Sequence, residues 1–442
     1  MEKLLEMAKK VCDKAEVYSI DYIYNPVTFE DAKLHDIESK FQSGISLRII
    51  KNGKLGFAYT KNLINREEIL QNALDSIKGE VEASYDFPLT KELPKLDTYN
   101  PSVENLSTTK MVEECARVCD ILRSKTDGEI SITSSTYIED IHIINSKGTD
   151  VSQKGTFYGI YGGVIYPGSA SAIWRIFISK KFEKLPDDIV NEIIELYTLS
   201  SNVVETKGGK MKVMFMPNSM HTLNGRIFSG TSSKSIYEKI SPVADKIGEK
   251  IFNEKITIYD DSLNDKYPGA RAFDDEGVRC KPLTIIENGI LKSFYYDLNY
   301  ATKLNAESTG HGYKVLQWGG EQITLKPIPA LAHMTIKPGK KSFSELVKSI
   351  DRGIIIEGAL GAHSGNIPNG DYSVGVNPGL YVENGEIIGR VKDAMIAGNI
   401  YETLKYVIDI GDTLHPSFIG LGDYNAWVPA ILFDNLSVVT KY

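Results

Sequence analysis

Apolar positions along this chain recur with two periods, near 3.6 and 2, and the switches between them mark its elements. Residues 1–10 are amphipathic and mixed in charge, and predict a first helix. Residues 15–24 alternate in the manner of a half-buried strand, and residues 44–59 read as a hairpin turned at Asn52-Gly53. Both turn residues tolerate the positive φ that a type I′ turn demands. Asn65 then opens a helix, with an acid three positions on and Ile69, Leu70, Ala73, Leu74 and Ile77 as its apolar face. These elements make a first α+β unit over residues 1–85. Residues 86–106 carry prolines and no period, and read as a linker.

A second α+β unit is expected over residues 107–207. It has a helix at 108–123, with Met111, Val112, Cys115, Val118, Cys119 and Leu122 at helical spacing, then strands at 130–136 and 141–145 and two more within 157–178. A helix at 186–199 closes it, with Pro186 at the first turn and Asp187 and Asp188 complementing the dipole. Residues 208–442 are β-rich and studded with Gly and Pro. Among their few helices are 342–350, where Ser342 and Glu345 stand at capping-box spacing, and 398–408. Asn-Gly hairpins recur at Asn288-Gly289 and Asn384-Gly385. The fold class is therefore α+β, with antiparallel sheets flanked by helices and a large β-rich C-terminal domain.

Bulk properties narrow the function. A chain of 442 residues exceeds one ordinary core, so two or three domains are expected. With 42% hydrophobic and 24% charged residues the composition is globular. No apolar run approaches the ~18 residues of a membrane span, and the mixed first helix does not resemble a secretory leader, so a cytoplasmic protein is expected. A net charge of −8 with dispersed Lys and Arg gives no footprint for nucleic acid. Four cysteines are too few for a disulfide scaffold. Cys115 and Cys119, one helical turn apart, read either as part of a metal site or as reduced thiols on a helix face.

Candidate chemistry collects in the last unit. The chain has no P-loop, dinucleotide fingerprint, nucleophile elbow or H-E-x-x-H. His221 and Arg226 stand five apart, but Arg cannot ligate a metal; His221 is a catalytic candidate or a capping histidine. Asp274, Asp275 and Glu276 precede the 283–294 hairpin, and either do acid/base or cation work or cap amides and face water. His311 and His363 sit in Gly-flanked polar loops that either reach a cleft or are plain turns, and His415 precedes Pro416 in a loop.

The order of 273–278, 286–292, Ser308-Thr-Gly, 370–375, 382–387 and Ala397-Gly-Asn-Ile resembles the TldD/PmbA family, whose members also carry the description modulator of DNA gyrase. Lys51-Asn-Gly-Lys-Leu-Gly and Asn145-Ser-Lys-Gly fit the same pattern. The family pairs a TldD subunit, with zinc on H-E-x-x-x-H and a distant cysteine, with a PmbA/TldE subunit that lacks it. The resemblance places His221 at the first ligand, Thr222 at the general-base Glu and Arg226 at the second His, with His415 near the distant cysteine's place. His221 and His415 are thus the only metal candidates it leaves. It implies the PmbA/TldE branch: no catalytic zinc or other cofactor in this chain, zinc in a TldD-like partner, and a peptide or unfolded protein as substrate. A stand-alone hydrolase using these His and acidic residues, and a peptide-binding homodimer, are the alternatives.

Overall fold

The computed structural model describes residues 1–315, 320–418 and 426–441. Strand alternation builds its first layer. β1 (Lys14–Glu30), β2 (Lys33–Ile37), β3 (Lys40–Lys51), β4 (Lys54–Thr60), β5 (Glu129–Asn145), β6 (Asp150–Ile165) and β7 (Ala172–Ser179) form one sheet in the order β4-β3-β1-β5-β6-β7, with β2 on the far end of β1. The two N-terminal units therefore share a sheet, joined by the antiparallel register that runs from Glu16↔Asn145 to Glu30↔Ser131. Residues 130–136 and 141–145, expected as separate strands, belong to the single strand β5. Tyr137 to Asp140 look like a polar break, but alternation persists through them: Ile138 is buried, while Tyr137 and Glu139 line a cavity on the other face.

Parity decides what each face meets. Ala15, Val17, Val27 and Phe29 of β1 lie under helices α1 (Glu2–Ala8), α2 (Arg66–Ser76), α3 (Pro101–Glu104), α4 (Thr108–Arg123) and α5 (Asp187–Leu199). Tyr18 and Ile20 point the other way, onto Ala272 and Phe273 of the C-terminal unit. The caps are local: Asn65 accepts from the Glu68 amide, Asn100 from Ser102 and Ser107 from Lys110. Residues 86–106 cross as a strap, with the Thr90 hydroxyl donating to the Gly277 carbonyl and the Asn145 amide to that of Pro88.

The C-terminal unit holds a ten-stranded sheet and a six-stranded sheet. In the larger, β8 (Val203–Val204) is an edge strand and β9 (Gly209–Phe215) is central, parallel to Arg352–Ile356. All three Asn-Gly hairpins form with positive φ at both turn residues: 51° and 71° at Asn52-Gly53, 49° and 78° at Asn288-Gly289, and 51° and 80° at Asn384-Gly385. Ser342 and Glu345 complete a capping box on Phe343–Lys348. The helix expected at 398–408 is a four-residue turn, Ile400–Thr403, between strands Ala394–Asn399 and Val407–Ile410. Ile400 and Leu404 pack like a helix face, but the pairing of Val407 and Ile410 with Phe433 and Ile431 takes the rest of the segment.

Candidate functional site

Where the N-terminal sheet arches over the C-terminal unit, a cavity of ≈ 940 Å³ opens. Its first wall is the sheet face beyond the contact with Phe273. Register aligns Lys40, Tyr24, Tyr137 and Phe157 across four strands. Tyr137 stacks on Phe157 at 4.2 Å between centroids with an 11° interplanar angle, and Tyr24 lies 4.6 Å from Tyr137. Tyr22, one row on, sits 6.3 Å from Tyr137 and beside Glu139.

The opposite wall is α6 (His221–Thr231), which follows β9 through Met216-Pro-Asn-Ser. His221, at its start, is half-buried and lines the cavity. Its Nδ1 lies 2.9 Å from the Asn218 carbonyl, which fits an Nδ1–H donor. Burial lowers its pKa, the Asn218 bond raises it, and the Arg226 charge lowers it further, so the ring is held toward neutrality. Thr222 is fully buried, with no hydrogen-bond partner for its hydroxyl among the described residues. Arg226 is 1% exposed, and its guanidinium donates to the carbonyls of Thr222 (2.7 Å), Ala362 (2.9 Å), Ser364 (2.7 Å) and Asp371 (2.7 Å). It fastens the 361–371 loop to α6. A hydroxyl and a guanidinium without a lone pair are no donor set for zinc beside His221. Among the described residues, no three His, Cys, Asp or Glu side chains gather to hold a metal ion.

The acidic cluster at 274–276 forms the junction beneath. Its side chains are buried, so the water-facing option does not hold. Asp274 accepts from the amides of Glu276, Val278 and Gly312; burial and the charge of Glu276 push its pKa well up against those bonds. Asp275, which reaches the cavity lining, takes Arg271 at 2.7 Å and the Lys314 amide at 2.8 Å. Glu276 accepts from Arg48 at 2.9 Å and from the Leu298 amide at 2.7 Å, and Arg48 also holds Glu16. Unmarked in the sequence, Lys314 donates to the Ser46 hydroxyl at 2.7 Å beneath the Tyr18 ring. Only its partners, over 260 residues away in the chain, reveal it.

The remaining histidines scatter. His311 is 1% exposed and 3.3 Å from Asp260, away from the cavity lining, so its loop presents it to the core rather than to the cleft. His363 is exposed and lines the cavity beside Arg226. His415 lies on His415–Ser417; burial lowers its pKa, against the charge of Glu192. His333, which the sequence reading passed over, is buried with Asp260 and Trp427. Cys115 and Cys119 are buried thiols on α4 whose pKa values burial pushes up to about 12.

Residues 15–83, 101–197 and 208–440 match, in turn, the family models of PmbA/TldA metallopeptidase domain 1, the central domain and the C-terminal domain. The chain belongs to the PmbA/TldD family. Family members similar to it include a Methanocaldococcus jannaschii protein named as uncharacterised, 27% identical over 93% of this chain and 95% of the relative. A metalloprotease of the same organism is 27% identical over 91% and 90%. The crystal structure of TldE from Thermococcus kodakarensis superposes with a TM-score of 0.90 at 25% identity, covering 99% of both chains.

Proposed function

We propose that this chain is the PmbA/TldE-type subunit of a cytoplasmic TldD-type metalloprotease complex, acting on peptides or unfolded proteins. In this reading zinc belongs to the TldD-like partner. This subunit completes the chamber in which the substrate is held, in part by strand addition to an exposed sheet edge.

The observation that carries the proposal is the use made of Arg226. At the position where the resemblance puts the second zinc ligand, the side chain is consumed by four carbonyls and holds a loop in place. With Thr222 in place of a carboxylate, the position that the resemblance assigns to the general base carries no group to activate water. The likeness to a TldE structure supports the same branch. Co-expression with a TldD-type chain from the same host tests the partnership. A one-to-one complex by size-exclusion chromatography and native mass spectrometry is expected. Separate elution of the two chains at micromolar concentration would contradict it.

A further inference from the structure

We propose that the aromatic row on the sheet makes the cavity selective for peptides that carry a bulky aromatic side chain, seated on Tyr24, Tyr137 and Phe157. The inference rests on the peptide-holding reading above and names which peptides the site prefers.

Three observations carry it. The same sheet face is covered at one end, where Tyr18, Ile20, Ile141 and Ile143 pack against Phe273, and at the Tyr24 row it lines the cavity, with Tyr24, Tyr137 and Phe157 half-buried among the described residues. Aromatic surface left half-buried there is the surface whose burial by a ligand gains most. The rings are also pre-set. The stacked contact at 4.2 Å and the tilted one at 4.6 Å fix Phe157, Tyr137 and Tyr24 as a platform before anything binds, so little side-chain entropy remains to be lost. Finally, ≈ 940 Å³ lies at the top of the roughly 300–1,000 Å³ range of small-ligand sites. The space suits several residues of an extended chain, with Glu139 and Arg271 beside the platform as polar neighbours.

Calorimetric titration of the purified chain with capped hexapeptides that differ only at one central residue, Phe, Leu, Ser or Lys, tests this. The Phe peptide should bind at least about tenfold tighter than the Ser peptide. Tyr137→Ala and Phe157→Ala should each erase that margin by weakening the Phe peptide, whereas Phe41→Ala, an exposed ring outside the cavity lining, should keep it. A measurement free of variants guards against loosened sheets: a p-benzoylphenylalanine peptide should photo-crosslink to residue 24, 137 or 157. Equal affinity for all four peptides, or crosslinks elsewhere, overturns the selectivity and leaves the peptide-holding role standing. Failure of every peptide to bind overturns both. N-acetyl-phenylalanine amide binding as tightly as the Phe hexapeptide would mark a small-molecule pocket and overturn the inference.

Discussion

Arg226 shows what one residue can and cannot disclose. The sequence places a guanidinium where a ligand is expected, which is enough to question the metal, but three of its four acceptors lie 136 to 145 residues further on and carry no local signature. Removing it takes a charged donor from the carbonyls of Ala362, Ser364 and Asp371. Arg226→Met should cost about 3 kcal/mol in urea unfolding and speed amide exchange across 361–371; unchanged exchange there would show that the clamp is dispensable. Lys314 makes the second prediction at this scale. Burial lowers its pKa from 10.5 to about 7, Asp275 raises it and Arg48 lowers it. Between those two values the unfolded chain holds a proton that the folded chain lacks, so this group makes stability rise with pH across that window. From about pH 7.5 to about pH 9.5, the unfolding free energy from urea titration should climb more steeply in the wild type than in Lys314→Met, by up to about 1.4 kcal/mol per unit. Equal slopes would contradict it.

Elements were most legible where their signals are local. Asn-Gly turns, the caps at Asn65 and Ser342 and the apolar face of α4 each depend on residues within a few positions, and each formed as read. The 398–408 segment misled because Ile400 and Leu404 share a helix-like face, while the strand Val407–Ile410 is fixed by a partner over twenty residues later. The aromatic platform is built from pairs such as Tyr24↔Tyr137, whose register no local pattern reveals. The hairpins themselves differ in a testable way. A Cβ at Gly53 would meet nothing within 4 Å, whereas at Gly289 it would lie 2.3 Å from the Phe252 carbonyl oxygen. Gly53→Ala should cost roughly 1 kcal/mol, the strain of a positive φ alone, and Gly289→Ala at least ~2 kcal/mol more. Similar thermal midpoints for the two variants would refute the close approach.

At the scale of the whole molecule, the first and last of the three matched regions are locked by buried charge. Arg48 from the first bridges Glu16 of its own sheet and Glu276 of the last, with all three side chains at most 3% exposed. Losing one arm of this triad leaves Arg48 paired with Glu16 alone and removes a buried charge-assisted bond, so Glu276→Gln should lose about 2 kcal/mol of stability; a loss below about 0.5 kcal/mol would place the lock elsewhere. This rigid junction supports the cavity on which the functional proposal depends, and Arg226 gives that proposal its central claim: the chain contributes a substrate chamber and the partner contributes zinc. The most direct measurement is zinc content together with cleavage of an unfolded protein, for the purified chain alone and after mixing with a TldD-type chain. The account predicts no stoichiometric zinc and no cleavage alone, with chelator-sensitive cleavage in the mixture. One tightly held zinc per chain, with chelator-sensitive proteolysis by this chain alone, would contradict it.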